Sequence, residues 1–258
     1  MNISLRLPEE YYEEIFEILR SLGFYQREVK NALWSVCKEG TCATLYPSGS
    51  LLLQGEKSQH IRDLVLSFIK IPKNVQIGCD ESGKGDVFGP LVVCCAVISP
   101  SSYKEVLLAT PKDCKLLKDD ELLKRVQKLS LLVEARCVIY EPELLNALYE
   151  EVKNYSRIMD RAYGTLIEEL RKNYDAKIHI DAYSSHNPFG RDVVFERKGE
   201  REVATSVASM FARAKFLLWL EEHNLPKGSG SKAMYMAKEL LKKDPQKAKK
   251  LVKIFFLD

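Results

Sequence analysis

The sequence predicts an α/β fold, because stretches with helical and with strand-like patterning alternate along it. Three observations carry that prediction. Leu91-Val92-Val93-Cys94-Cys95-Ala96-Val97-Ile98 is apolar without alternation, as a strand covered on both faces must be. Ala176-Lys177-Ile178-His179-Ile180-Asp181 is a second strand-like run, and it ends on an acid. Residues 154–174 and 202–222 repeat apolar positions at helical spacing; in the second, Ala204, Ala208, Ser209 and Ala212 are small enough for a close approach to a sheet.

Taken in order, Pro8 opens a helix whose apolar face holds Ile15, Phe16, Ile18, Leu19 and Leu22, with Gly23 ending it. Cys42-Ala43-Thr44-Leu45-Tyr46 and Ser50-Leu51-Leu52-Leu53-Gln54, joined by Pro47-Ser48-Gly49, predict a hairpin. A helix over about 59–70 ends before Pro72, and Ile71-Pro72-Lys73-Asn74 reads as a linker. These elements predict a small α+β domain over residues 1–70 and a larger one over 75–258. The larger begins with a strand at 75–80 and continues through the run at 91–98. Then come a helix capped by Asp119, a strand at 133–140, a helix opened by Glu141-Pro142, and strands at 176–181 and 193–196.

Charge is nearly balanced, with 39 Lys and Arg against 36 Asp and Glu in 258 residues, which permits a polyanionic partner without demanding one. The basic run at 238–253 reads first as a solvated helix face. Seven cysteines without metal-ligand spacing read as small apolar thiols in a reducing compartment. With neither a signal-peptide pattern nor a membrane-spanning apolar run, the expectation is a soluble cytoplasmic protein. Plentiful Lys and Glu beside sparse Asn and Gln point to a thermophilic source.

The chemistry concentrates in Asp80-Glu81-Ser82-Gly83-Lys84-Gly85-Asp86. Two carboxylates follow an apolar strand, and the chain then turns through glycines whose backbone a large ligand can approach. Asp181 ends its own strand in the same way, so neighbouring strands would bring Asp80 and Asp181 to one sheet edge. Strand alternation points Glu81 to the opposite face unless the glycine turn returns it. Glu200 supplies a fourth acid. Carboxylates with few histidines suit hard divalent ions, Mg²⁺ or Mn²⁺, and two such ions suit in-line phosphoryl displacement. Gly83-Lys84-Gly85 is not a Walker loop; its backbone suits contact with a sugar 2′-hydroxyl.

The segment from Asp80 to Pro90 resembles the signature of the type 2 ribonuclease H family, in the form typical of bacterial ribonuclease HIII. Lys112-Asp113-Cys114-Lys115-Leu116, Asp181-Ala182-Tyr183, Ala208-Ser209-Met210-Phe211-Ala212-Arg213 and Leu225-Pro226-Lys227-Gly228 resemble further family segments. The resemblance implies a ribonuclease-H-like mixed sheet flanked by helices, preceded by a TATA-binding-protein-like domain. It implies an endonuclease that cuts the RNA strand of RNA/DNA hybrids with Mg²⁺ or Mn²⁺, leaving 5′-phosphate and 3′-hydroxyl ends. Asp80, Glu81, Asp181 and Glu200 would be the catalytic metal ligands; Ser82, Gly83, Lys84, Gly85 and Lys115 would contact substrate. The family's fourth acid aligns with Gly199, so Glu200 stands one residue off and Glu202 competes with it. Cys114 replaces the family's serine, and a thiol is a poorer donor. Arg27, Lys30, Trp34, Lys38 and Tyr46 offer the first domain charges and rings for hybrid capture, with Trp34 and Tyr46 equally suited to its core. The implied partner is the hybrid itself, with no membrane, no obligatory protein partner and a monomeric state. Two other readings are excision of single embedded ribonucleotides, as in ribonuclease HII, and hybrid binding without catalysis.

Overall fold

The computed structural model describes residues 2–109, 117–197 and 202–257. Its first sheet comprises β1 (Asn2–Arg6), β2 (Tyr25–Gln26), β3 (Trp34–Lys38), β4 (Thr41–Leu45) and β5 (Ser50–Gln54), in the order β1-β5-β4-β3-β2 and antiparallel throughout. Helices α1 (Tyr12–Ser21) and α2 (Ser58–Phe68) complete this part. The predicted hairpin is β4–β5, and Gly23 adopts φ +84° just beyond α1. Strands β1, β2 and β3 go beyond the predicted elements. Leu5, Leu51, Leu45 and Trp34 follow one another across four strands in register, all buried, so one face of the sheet is core. Of the two readings of Trp34, capture and core, the structure selects the core. Its ring packs at 5.7 Å from Phe16, and its indole donates to the Tyr12 carbonyl at 3.2 Å.

The second sheet holds β6 (Gln76–Ser82), β7 (Leu91–Ile98), β8 (Glu134–Tyr140), β9 (Ile178–Asp181) and β10 (Val193–Glu196), in the order β10-β9-β6-β7-β8. β6, β7 and β8 pair antiparallel, while β9 and β10 run parallel to β6. Helices α3 (Tyr103–Ala109), α4 (Asp119–Leu129), α5 (Pro142–Val152), α6 (Tyr155–Asn173), α7 (Val203–Glu222), α8 (Ser231–Lys243) and α9 (Pro245–Leu251) surround it. α6 buries Ile158, Met159, Ala162, Tyr163, Leu166, Ile167 and Leu170 on the face that carries Ile77, Cys79, Ile178 and Ile180. α7 lies on the other face so closely that a side chain at Gly78 would start 2.1 Å from the Thr205 amide nitrogen. Although α7 is apolar and long enough to cross a bilayer by composition, 72% of its most apolar window is buried in the protein.

Two local expectations are corrected. Lys118, not Asp119, occupies the cap position of α4. The Asp119 carboxylate instead accepts from Arg213 and Lys227, both at 2.8 Å, tying the helix to two other segments. Six cysteines form three disulfides rather than standing as thiols: Cys37–Cys42, Cys79–Cys95 and Cys94–Cys137. The reason is register, since each pair sits directly opposite across neighbouring strands. Cys94 and Cys95 face opposite sides of β7; Cys94 meets a cysteine only on β8, and Cys95 only on β6. Cys114 lies outside the described residues.

Candidate active site at the ends of β6 and β9

The last registered pair between β6 and β9 is Cys79 with Ile180. Asp80 and Asp181 follow one step on, side by side on the same face of parallel neighbours. Asp80 is only 9% exposed; its Oδ1 accepts the Glu81 amide at 2.8 Å, and the Ser209 hydroxyl of α7 donates to its carboxylate. Burial first, and the Glu81 charge second, push its pKa up to about 8, while Asp181 adds to the rise. The position thus holds a carboxylate that water does not stabilise, which a cation would.

Glu81 keeps the strand's alternation and faces α6. Its Oε2 accepts from the Tyr163 hydroxyl at 2.5 Å, and its Oε1 lies 3.4 Å from the Lys84 ammonium. Burial raises its pKa, against the opposing pull of Tyr163 and Lys84. Beneath it stands an aromatic wall: Tyr163 stacks on Tyr183 at 5.1 Å, and Tyr183 meets Phe195 edge-on at 5.1 Å. The Tyr183 hydroxyl donates to Asp160 at 2.6 Å, and Lys84 Nζ lies 5.6 Å above the Tyr183 ring. Ser82 ends β6, and Gly83 turns the chain at φ +84°, packed so tightly that a side chain would begin 2.1 Å from the Pro90 carbonyl. Gly85 is open, with no atom within 4 Å of where a Cβ would stand.

The other expected residues divide. Lys115 and Glu200 lie outside the described residues. Glu202 is exposed at the start of α7, bordering a cleft with Gln76, Ile77 and Lys177 at the far end of β6. Seven residues of helix, roughly 10 Å, separate it from Ser209, so it does not stand beside Asp80. Glu196, not foreseen, lies opposite Asp181 in the β9–β10 register and extends the acidic row to a third strand. Only knowledge of that register distinguishes it from any exposed strand-end acid. Among the described residues, no three His, Cys, Asp or Glu side chains converge closely enough to hold a metal. The donor set nonetheless fits a hard divalent ion: every group is a carboxylate oxygen, and the most buried one lacks solvation for its charge.

The family model for ribonuclease HII matches residues 77–257, which span both strands, the glycine turn and the C-terminal helices. Ribonuclease HIII of Aquifex aeolicus is 38% identical over 96% of this chain and 98% of its own. The chain belongs to the ribonuclease HII family, in its HIII branch. Ribonuclease HIII of Protochlamydia amoebophila is 27% identical over 90% of this chain and 86% of its own. The crystal structure of Aquifex aeolicus RNase H3 superposes with a TM-score of 0.65, at 36% identity, covering 98% of this chain and 99% of that one. Bst-RNase HIII in complex with Mn²⁺ superposes at 0.66 and 21% identity, covering 99% and 96%, which shows a shared fold. The protein is therefore a ribonuclease H, a hydrolase, with the mixed α/β architecture of that family.

Proposed function

We propose that the protein is an endoribonuclease that hydrolyses the RNA strand of RNA/DNA hybrids, leaving 5′-phosphate and 3′-hydroxyl ends. The observation that carries the reading is the pairing of Asp80 with Asp181 at neighbouring strand ends, one of them buried enough that its ionisation is opposed. Asp80, Glu81, Asp181 and Glu200 would hold the divalent ions, Mg²⁺ or Mn²⁺, with Glu81 on the α6 side of the strand but close enough for its charge to raise the Asp80 pKa. When bound, a pair of such ions activates the attacking water and neutralises charge on the departing oxygen. The chain's own residues do the rest. Ser209 orients the Asp80 carboxylate, Tyr163 orients Glu81, and the backbone of Ser82, Gly83, Lys84 and Gly85 meets the sugar edge of the RNA strand. Lys115 contacts a phosphate near the cut.

Residues 1–70 form a TATA-binding-protein-like capture domain, and residues 75–258 the catalytic domain. Trp34 being core, capture falls to the face lined by Ser4, Asn31, Tyr46, Ser50 and Leu52, with the exposed Arg27 and Lys30 nearby in sequence. A monomer suffices for this chemistry. The test is incubation with an end-labelled RNA/DNA hybrid, with and without Mg²⁺ or Mn²⁺, beside Asp80→Asn. Metal-dependent cleavage of the RNA strand alone, absent in the variant, supports the reading; cleavage by the variant at wild-type rate refutes it. The HII name of the matching family model favours one second activity, cutting at a single ribonucleotide within duplex DNA. A duplex carrying one ribonucleotide, run in the same assay, separates the two.

A further inference from the structure

The C-terminal segment closes over the leg of the loop that follows the glycine turn. The Gly89 amide donates to the Leu251 carbonyl at 3.0 Å, the Lys253 amide donates to the Val87 carbonyl at 2.8 Å, and Phe88 and Val252 form an antiparallel bridge. Lys253 is 0% exposed, and its Nζ donates to the carbonyls of Asp86 at 2.8 Å and Phe88 at 3.2 Å. The Asp86 carboxylate, which faces the same region, accepts the Gly228 amide at 2.5 Å. The Phe216 ring of α7 lies 6.0 Å from the ammonium and also underlies Gly83 and Gly89.

A buried cation is costly, and a methionine would fill the same space. What a methionine lacks is donors for two inward-facing carbonyls, whose orphaning carries its own penalty. Gly83 is packed against the Pro90 carbonyl, but the tip beyond it is more loosely held. The bond from the Asp86 amide to the Gly83 carbonyl is long, at 3.4 Å, and Gly85 is open. Its placement is set by what grips the leg from 86 to 90: Gly228 at the side, Phe216 below and Lys253 from the C-terminus.

We infer that Lys253 is a positioning residue, which fixes the Asp86 and Phe88 carbonyls and so presents the Gly83-Lys84-Gly85 backbone to the hybrid. The inference rests on the reading that this turn contacts substrate. It separates the roles of the two ends of the loop, because Asp80 and Glu81 lie on β6 and do not depend on Lys253 for their place. Removing the ammonium therefore acts on hybrid affinity more than on the chemical step.

The test compares wild type, Lys253→Met, Lys253→Arg and Asp80→Asn in steady-state cleavage of one RNA/DNA hybrid, with hybrid affinity measured separately in Ca²⁺. Lys253→Met is expected to raise KM and the dissociation constant roughly ten-fold, with kcat changed less than about three-fold, and Lys253→Arg to recover part of the loss. Wild-type KM and affinity in Lys253→Met overturn the inference. So does an equal fall in kcat and in the melting temperature with affinity intact, which marks a merely structural lysine. Should Lys253→Met fail to fold, Lys253→Gln and Lys253→Arg are read in its place, and wild-type affinity in the neutral Gln variant refutes the role. Wild-type protein that neither binds nor cleaves the hybrid sinks the functional reading, and this inference with it, whereas active wild type beside a Lys253→Met variant of unchanged KM and affinity sinks this inference alone.

Discussion

Asp80 and Lys253 are buried ionisable groups whose titrations bias stability over different pH windows. Burial holds the Asp80 proton on in the folded chain where the unfolded chain has lost it. The metal-free protein therefore loses stability as pH climbs from the ordinary carboxylate range to about 8. Asp80→Asn removes that slope while abolishing turnover, by roughly a thousand-fold or more on the scale of a lost catalytic group. Melting curves across pH, beside cleavage assays, check both halves. Because a cation must displace the proton, apparent Mn²⁺ affinity is expected to rise through the same window. Calorimetric titration at several pH values would show the increase, and a flat profile would contradict it. Burial pulls the Lys253 pKa down to about 7 from 10.5, with Asp86 opposing. The unfolded chain then binds more protons above about pH 7, so this residue makes stability rise with pH from there. Lys253→Met is expected to flatten that rise between about pH 7 and 9, below the range where tyrosines titrate. The acids were legible in the sequence because each ends an apolar strand. The lysine was not, because nothing local marks one member of a basic run as buried.

Legibility at the level of elements followed the same division between local and non-local information. The β4–β5 hairpin carries its own turn signal, β7 its unbroken apolar run and β9 its terminal acid, so all three could be read directly. β1 and β3 are short alternating segments, Asn2-Ile3-Ser4-Leu5-Arg6 and Trp34-Ser35-Val36-Cys37-Lys38, that become strands by pairing with the hairpin. Register also decides the cysteines. Cys79, Cys94, Cys95 and Cys137 look like core residues singly, and only the alignment of β6, β7 and β8 shows them facing in pairs. Alkylation of the unreduced, denatured chain is expected to leave Cys37, Cys42, Cys79, Cys94, Cys95 and Cys137 unlabelled; labelling of all six would contradict the disulfides. Reduction should lower the melting temperature, since bridges of this kind contribute about 2–4 kcal/mol each.

Across the whole molecule, one apolar cluster runs from Leu5, Ile15 and Val65 through Val106 and Leu122 to Val207 and Phe211. The first sheet and the α7 side of the second thus share a core, which sequence patterning could not show because neither half's apolar face names its partner. Arg6 of β1, 3% exposed, reaches the Ser206 hydroxyl of α7 at 3.5 Å. If residues 1–70 capture the hybrid, Arg27→Glu with Lys30→Glu should weaken binding and reduce its salt dependence by about two counterions, with kcat at saturating hybrid unchanged. Hybrid titrations at several salt concentrations check this. Equal affinity in the double variant would remove those charges from the capture surface.

The central claim is that Asp80 and Asp181 act as one unit on bound metal. It is tested most directly by a cycle of Asp80→Asn, Asp181→Asn and their combination, read as the rate of RNA-strand hydrolysis in a hybrid with Mn²⁺. Each single change is expected to remove nearly all turnover, and the double change to cost no more than either alone. Near-wild-type hydrolysis by Asp181→Asn, or losses that multiply in the double variant, would contradict it.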